Sequence, residues 1–320
     1  MPASFLPVFS ALLAFALSLL LGPVVIGRLQ KLRVGQVIRA DGPKTHQAKA
    51  GVPTMGGILI VLCTLAAQVV ARPWTDSSIM MLFSTIGFGI IGFLDDYIKV
   101  VARRSLGLRA REKLVAQFGV AALVALYAYA RVGTDLFVPF WQGTITLPAV
   151  IYIPFTIFVL VGVVNAVNLS DGLDGLAAGS TAIGAAAFAV IFVLLGHNDL
   201  GVFSSAVTGA CLGFIWFNGP PAQVIMGDTG SFALGAALAT GAVLSKTTLF
   251  LPIIGGLFLL ETVSVILQVL YFRATKGRRL FRMAPLHHHF ELLGWAESKV
   301  MIRFVLLALV FAVLGLYAIL

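Results

Sequence analysis

The stretch SSIMMLFSTIGFGIIGFLDDYIK, residues 77–99, decides what kind of fold this chain adopts. Residues 77–94 carry no charged side chain, and a helix of about 20 apolar residues crosses the hydrocarbon core of a bilayer. The stretch then ends in adjacent aspartates, Asp95 and Asp96, followed by Lys99. A carboxylate beside lipid is costly and membrane proteins keep one there for function. The stretch therefore predicts a membrane-spanning helix with a functional site at one end.

The same apolar pattern recurs along the whole chain. Hydrophobic residues make up 59% and charged residues 11%, against roughly 25% charged in a typical soluble domain. We therefore predict an all-α polytopic integral membrane protein, a single domain over residues 1–320 with about ten transmembrane helices. The predicted segments are 4–27, 54–71, 77–94, 113–130, 148–167, 175–196, 202–217, 229–245, 249–272 and 299–320.

Basic residues lie on one side of these segments. Of the 22 Lys and Arg residues, 19 fall in or beside loops on one side, so that side is predicted to be cytoplasmic and both termini outside. The basic loops suit anionic lipid headgroups, so the net charge of +9 does not indicate nucleic acid. The longest loop on the other side, about 131–147, is predicted to contain a small hairpin. The cytoplasmic side also carries five aspartates: Asp95, Asp96, Asp171, Asp174 and Asp228.

The first motif is the aspartate pair itself. In a helix, Lys99 follows Asp95 by four residues and Asp96 by three, so the three side chains share a face. Adjacent carboxylates repel unless a cation or a proton lies between them. The motif indicates a divalent metal or a proton site, and the alternative is a surface ion pair of little energetic consequence.

The second motif is NAVNLSDGLDG, residues 165–175. Asn165 and Asn168 end an apolar segment, and Asp171 and Asp174 follow among glycines that let the backbone turn. Amides and carboxylates in this density indicate a polar pocket for a base, a sugar or a metal. The alternative is a capped turn between helices, with Asp174 as the N-cap.

The third motif is NGPPAQVIMGDTGS, residues 218–231. The GDTGS part opens an apolar segment, and the free N–H groups at a helix start attract anions. Asp228 is a candidate Mg²⁺ ligand, because Mg²⁺ takes one or two carboxylates together with substrate phosphates. The alternative is again a helix N-cap.

The fourth motif is MAPLHHHFE, residues 283–291. Three consecutive histidines do not all face one ion from a regular helix, which makes a zinc site a poor match. We assign His287 and His288 to catalysis and His289 to substrate binding through phosphate, and the alternative is ordinary loop histidines.

Three further polar residues lie in or beside apolar segments. In KAGVPTMGG, residues 49–57, Lys49 and Thr54 are candidate anion contacts, while the glycine pair also suits helix packing. Glu261 lies inside a predicted span and is expected to face the protein interior, where a hydrogen bond to a neighbouring helix would explain it.

These motifs together resemble the polyprenyl-phosphate N-acetylhexosamine-1-phosphate transferases. The aspartate pair with Lys99, residues 165–175 and residues 227–231 carry the resemblance, while PLHHHFE with Gly294-Trp295 and PTMGG resemble the muramoyl branch. The resemblance implies transfer of phospho-N-acetylmuramoyl-pentapeptide from its UDP derivative to undecaprenyl phosphate, which gives lipid I and UMP. It also implies Mg²⁺ as the cofactor and the bacterial inner membrane as the location. It leaves the oligomeric state open, a homodimer included.

The resemblance also implies roles for single residues. Asp228 matches the family's magnesium ligand, and Asp95 and Asp96 match an acidic pair that deprotonates or positions the lipid phosphate. The other matches are catalytic polar residues (Asp171, Asn165), nucleoside contacts (Asp174, Asn218, with Lys49 nearby) and candidate phosphate or diphosphate contacts (Lys99, Lys113, His287). Lys49, Thr54, Lys113 and Asn168 are also predicted to bind substrate. One departure is Ile225, which stands where the family usually has an aromatic residue that stacks on uracil.

Alternatives stay open at this point. Within the family, the sugar nucleotide could be UDP-N-acetylglucosamine, and from another class the chain could be a cation-coupled transporter. The reaction could run by direct attack of the lipid phosphate or through a phosphorylated Asp95 or Asp96.

Overall fold

The structure, a computed structural model, describes residues 5–31, 51–72, 74–102, 107–141 and 143–319. A helix occupies each of the ten apolar segments, and a short additional helix carries the histidine motif. The helices are α1 (Leu6–Lys31), α2 (Gly57–Ala71), α3 (Asp76–Val101), α4 (Ala110–Arg131), α5 (Ala149–Leu169), α6 (Leu176–Leu194), α7 (Asn198–Asn218), α8 (Gly227–Leu244), α9 (Leu251–Ile254), α10 (Gly256–Ala274), α11 (Leu286–Leu292) and α12 (Glu297–Tyr317).

The predicted helical, polytopic class is confirmed. Among the described residues, eight helices are long and apolar enough to cross a membrane. The other three helices in the predicted segments are α2, with 15 residues, α8, which opens on the polar residues 227–231, and the four-residue α9. The count of ten spans, the sides of the termini and the single-domain organisation stay predictions. The eight helices are α1, α3, α4, α5, α6, α7, α10 and α12.

The segment predicted as one helix over 249–272 is broken in the structure. A 3-10 turn, Thr248–Phe250, leads into α9, and α10 starts only at Gly256. Pro252 suits the first turn of a helix because its missing N–H needs no partner there. The adjacent glycines 255 and 256 are poor helix formers, which explains why α9 ends after four residues.

The predicted hairpin is confirmed between α4 and α5. Strands β1 (Asp135–Val138) and β2 (Gly143–Thr146) pair antiparallel. Asp135 accepts hydrogen bonds from the Thr146 hydroxyl at 2.7 Å and from Lys246 Nζ at 2.9 Å. These two donors hold the pKa of Asp135 below its usual value. The Lys246 contact joins the hairpin to the turn after α8.

Helix α8 is the centre of the helical body. Every residue from Thr229 to Leu244 is buried, and α2, α3, α5, α6 and α7 pack around it. A helix that is apolar on all sides belongs in the interior. The polar first turn of α8 is therefore held inside the protein, at the end where α3 carries its aspartates.

Gly92 sets how closely α3 approaches α8. A Cβ built on Gly92 would fall onto the backbone of Asp228 and Thr229. Small residues allow such close backbone contact between membrane helices. The absence of a side chain at Gly92 is thus a condition for bringing the end of α3 against the first turn of α8.

We expect Gly92→Ala to force α3 away from α8. Overpacking of this kind costs about 1–3 kcal/mol, so the thermal midpoint of the detergent-solubilised protein should fall by several degrees and the activity should fall with it. The matched control is Gly162→Ala in α5, where an added Cβ meets nothing within 4 Å. Equal midpoints for the two variants would contradict the packing argument.

Candidate active site

Three aspartates from two helices converge at one end of the bundle. Asp95 and Asp96 end α3, Asp228 lies in the first turn of α8, and one oxygen of each lies within 4.8 Å of the others. Asp95 and Asp96 are almost fully buried. Among the described residues this is the acidic cluster with the spacing to hold a metal ion. The structure therefore brings the first and third motifs together, which their shared side in the sequence analysis allows.

Two lysines lie between these carboxylates. Lys99 Nζ is 2.6 Å from Asp95 Oδ2 and 3.2 Å from Asp228 Oδ2. Lys113 Nζ, from α4, is 3.0 Å from Asp95 Oδ1 and 2.8 Å from Asp228 Oδ2. Each lysine thus bridges α3 and α8, and three acids with two lysines leave a formal charge of about −1 at the site.

Asp96 caps helix α8 from outside that helix. Its Oδ1 accepts from the backbone N–H of Asp228 at 3.2 Å, and its Oδ2 accepts from the backbone N–H of Thr229 at 2.9 Å and the Thr229 hydroxyl at 2.8 Å. Met226 at the N-cap position has no side-chain capping bond. The Asp96 carboxylate from α3 supplies the missing cap and fixes the first turn of α8, which carries Asp228.

Helix α5 adds amides on the same side. Asn168 Nδ2 donates to Asp228 Oδ1 at 2.9 Å and to Ser231 Oγ at 2.9 Å. One turn earlier, Asn165 Nδ2 donates to Gln117 Oε1 at 2.8 Å. Gln117 was not among the predicted site residues, although its position four residues after Lys113 places it on the same face of α4.

A second group of polar contacts holds the turn between α5 and α6. Asp174 Oδ2 accepts from the Ala222 N–H at 3.0 Å, and the Asp174 N–H donates to Glu297 Oε1 at 2.9 Å. Asn218 accepts from the Gly175 N–H at 2.9 Å and donates to the Val224 carbonyl at 2.8 Å. Asp174 and Asn218, both predicted nucleoside contacts, are buried and join this turn to the loop after α7.

The turn also carries Asp171, whose N–H donates to the Asn168 carbonyl at 3.2 Å. Asp171 is partly exposed. Within the motif of residues 165–175, Asn168 therefore contacts the aspartate cluster. Asp171 lies between Asn168 and the turn that carries Asp174.

The segment before α2 pairs with the loop before α8. Ile225 N–H donates to the Pro53 carbonyl at 2.8 Å, and Gly56 N–H donates to the Ile225 carbonyl at 2.9 Å. Thr54 lies beside Gly227 and close to Asp96, so this predicted contact is at the site. Lys49 lies outside the described residues.

The three histidines of α11 point in different directions, as the consecutive spacing predicts. His287 is buried, with Nδ1 3.2 Å from Glu261 Oε1, and it packs against Gly172. His288 Nδ1 is 2.8 Å from Glu291 Oε2. His289 Nδ1 accepts from the Arg282 N–H at 3.1 Å. The motif therefore meets the site through His287 and the α5–α6 turn.

The residues present fit a divalent metal at this cluster. The oxygens of Asp96 are engaged by the first turn of α8, and Asp95 Oδ1 also accepts from the Leu108 N–H at 2.9 Å. Asp228 instead contacts side chains, those of Lys99, Lys113 and Asn168. Side chains can move aside for an ion and a substrate, so the Asp228 carboxylate is the one least committed to backbone groups.

Membership of a family follows from comparison with known proteins. Residues 78–246 match the model of glycosyl transferase family 4, and the chain belongs to that family. The match covers α3 to α8, the part of the chain that builds the aspartate cluster. The family resemblance drawn from the sequence motifs is thereby confirmed.

Relatives over nearly the full length carry one name. The proteins of Caldanaerobacter subterraneus subsp. tengcongensis (48% identical, over 97% of this chain and 98% of the relative), Desulforamulus reducens (49%, over 95% and 93%) and Bacillus subtilis (48%, over 97% and 96%) are each a phospho-N-acetylmuramoyl-pentapeptide-transferase.

We expect Thr229→Val to weaken the cap on α8, because it removes the hydroxyl donated to Asp96 while keeping the side-chain shape. A hydrogen bond to a charged group contributes about 1.5–3 kcal/mol, so the thermal midpoint should fall. Thr229→Ser keeps the hydroxyl and is the matched control. If the Val and Ser variants have the same thermal midpoint, the hydroxyl does not support the cap.

Proposed function

We propose that this chain transfers phospho-N-acetylmuramoyl-pentapeptide from its UDP derivative to undecaprenyl phosphate, giving lipid I and UMP in peptidoglycan synthesis. The observation that carries the proposal is 47–49% identity, over nearly the whole chain, to bacterial relatives of that name. We propose that the reaction occurs at the inner, cytoplasmic membrane, with the site on the cytoplasmic face that the basic loops predict.

The cluster suits phosphoryl transfer because that chemistry asks a protein mainly for positioning and charge stabilisation. An oxygen of the lipid phosphate forms a bond to the sugar-linked phosphorus, and the bond from that phosphorus to the bridging oxygen breaks, so UMP leaves with the electron pair. The ammonium groups of Lys99 and Lys113 lie where they can exchange their contacts with carboxylates for contacts with these phosphates. We assign both lysines to charge stabilisation of the leaving diphosphate oxygen.

Mg²⁺ is the proposed cofactor, with Asp228 as its ligand and Asp95 beside it. When bound, the ion supplies charge neutralisation on the diphosphate. Asp96, whose oxygens are hydrogen-bonded to the first turn of α8, is proposed to position Asp228. This refines the acidic-pair role that the sequence resemblance implies for Asp95 and Asp96.

The remaining predicted residues are proposed to shape the substrate pocket. Asn168 orients Asp228 through its amide, and Asn165 supports that helix end through Gln117. Asp171, partly exposed on the same turn, is the carboxylate proposed to position the lipid phosphate and to accept a proton that this phosphate carries. Other proposed substrate or catalytic contacts are Lys49, Thr54, Asp174, Asn218, His287, His288 and His289.

Direct attack is the proposed route. Asp95 and Asp96 are 1% and 2% exposed, and their oxygens already contact lysine or backbone N–H groups. A nucleophilic carboxylate needs an open path to the phosphorus, which this burial does not favour. Recovery of a phosphorylated aspartate from protein incubated with UDP-sugar, without lipid, would overturn direct attack.

The proposed function is tested with purified protein and both candidate sugar nucleotides. UMP release should require undecaprenyl phosphate and UDP-N-acetylmuramoyl-pentapeptide, with UDP-N-acetylglucosamine as the comparison. Turnover with UDP-N-acetylglucosamine and none with UDP-N-acetylmuramoyl-pentapeptide would instead indicate an N-acetylglucosamine-1-phosphate transferase. Ion flux in liposomes without UMP release would favour the transporter.

We expect Asp228→Asn to lower Mg²⁺-dependent UMP release at least about 100-fold, because it removes the carboxylate assigned to the metal. The protein should still fold, as judged by its elution from a sizing column. Asp76→Asn is the matched control, since Asp76 lies in the first turn of α3 and is exposed. Near wild-type release by the Asp228 variant would refute the metal assignment.

We expect Ile225→Phe to lower the KM for the uridine substrate. Ile225 is partly exposed in the loop before α8, and an aromatic ring there could stack on the base. Such stacking contributes about 0.5–1.5 kcal/mol, which is roughly a twofold to tenfold change in KM. Ile225→Leu adds no ring and should leave KM unchanged, so equal values for the two variants would contradict stacking.

A further inference from the structure

Glu261 is a fully buried acid in the second turn of an apolar helix. It lies in α10, which is long and apolar enough to cross a membrane, and it is 0% exposed. A carboxylate in such a place is costly and needs a specific partner. Neither the phosphate chemistry nor the packing of α10 accounts for an acid at this position.

The partner of Glu261 is the first histidine of α11. His287 Nδ1 lies 3.2 Å from Glu261 Oε1, and His287 is also 0% exposed. A carboxylate beside one ring nitrogen places the proton on that nitrogen. The contact therefore favours the tautomer with the proton on Nδ1, which leaves Nε2 as an acceptor.

The other edge of the His287 ring lies against the turn that carries Asp171. A Cβ built on Gly172 would overlap His287 Nε2 and approach both adjacent ring carbons. The imidazole thus occupies the space that a side chain at Gly172 would take. Neither ring nitrogen meets strict hydrogen-bond geometry among the described residues, so it is the 3.2 Å approach of Glu261 Oε1 to Nδ1 that distinguishes the two nitrogens.

We propose that Glu261 is a positioning residue for the transfer reaction. It holds His287 in the Nδ1–H tautomer and in one ring orientation, and the ring in turn fixes the turn at Gly172. That turn presents Asp171 on one side and Asp174 on the other. The contribution of Glu261 to turnover rests on the proposed function, whereas the tautomer of His287 does not.

Nitrogen NMR of protein labelled with ¹⁵N-histidine tests the tautomer directly. The chain has five histidines, and the His287 signals are assigned by their loss in His287→Asn. We expect the wild-type protein to show a protonated Nδ1 and an unprotonated Nε2. Glu261→Ala should shift the proton toward Nε2, and Glu261→Gln, which keeps an acceptor oxygen at the same reach, should preserve Nδ1–H.

Kinetics then test the positioning role. Loss of the carboxylate behind a metal-ligating histidine typically costs roughly 10–100-fold. By analogy, we expect kcat of Glu261→Ala to fall by a similar factor, with smaller changes in KM. Glu261→Gln should recover most of kcat. Ser264→Ala is the matched control, because Ser264 is buried one turn further along α10 and its hydroxyl donates to the Glu261 carbonyl, away from His287.

Three results would overturn the proposal. The first is a proton on Nε2 of His287 in the wild-type protein. The second is full kcat in Glu261→Ala, and the third is an equal loss of kcat in the Ala and Gln variants. Failure of wild-type protein to release UMP would refute the proposed function instead, and the NMR result would still stand.

Discussion

The structure of the site depends on one cross-helix interaction, the capping of α8 by Asp96. A helix start has N–H groups without partners inside the helix, and burial makes each of them costly to leave unpaired. Asp96 satisfies those of Asp228 and Thr229 from a neighbouring helix, and Gly92 allows the two backbones to come close enough. The cap therefore fixes the position of Asp228 relative to Asp95, and the lysines follow from that geometry.

Charge sharing links this geometry to chemistry. Lys99 and Lys113 each contact both Asp95 and Asp228, so neither lysine is committed to one acid. Incoming phosphates compete for the same ammonium groups, and a cation competes for the same carboxylates. Because both exchanges keep unlike charges adjacent, the buried site can accept a charged substrate without leaving any of its own charges uncompensated.

Sequence predicted the parts of the site that are local. Asp95 and Lys99 pair because residues four apart lie on the same face of a helix. The apolar segments predicted which parts of the chain form the helices that carry them. Gln117 and Glu297 were missed, because their partners, Asn165 and Asp174, lie 48 and 123 residues away. The N-cap alternative for Asp174 is not realised, since its carboxylate accepts from Ala222 instead. Such distant pairings depend on tertiary packing, which periodicity does not encode.

The non-helical segments near the site are held by hydrogen bonds to one another. Non-helical chain at membrane depth persists only where its polar groups find partners within the protein. Residues 53–57 pair with Ile225 and Met226, and the side chain of Asn218 joins the Gly175 N–H to the Val224 carbonyl. A reaction that needs positioning more than covalent chemistry is served by loops held in this way. Polar residues such as Asn218 therefore contribute to function first by holding the backbone, whatever contact they also make with substrate.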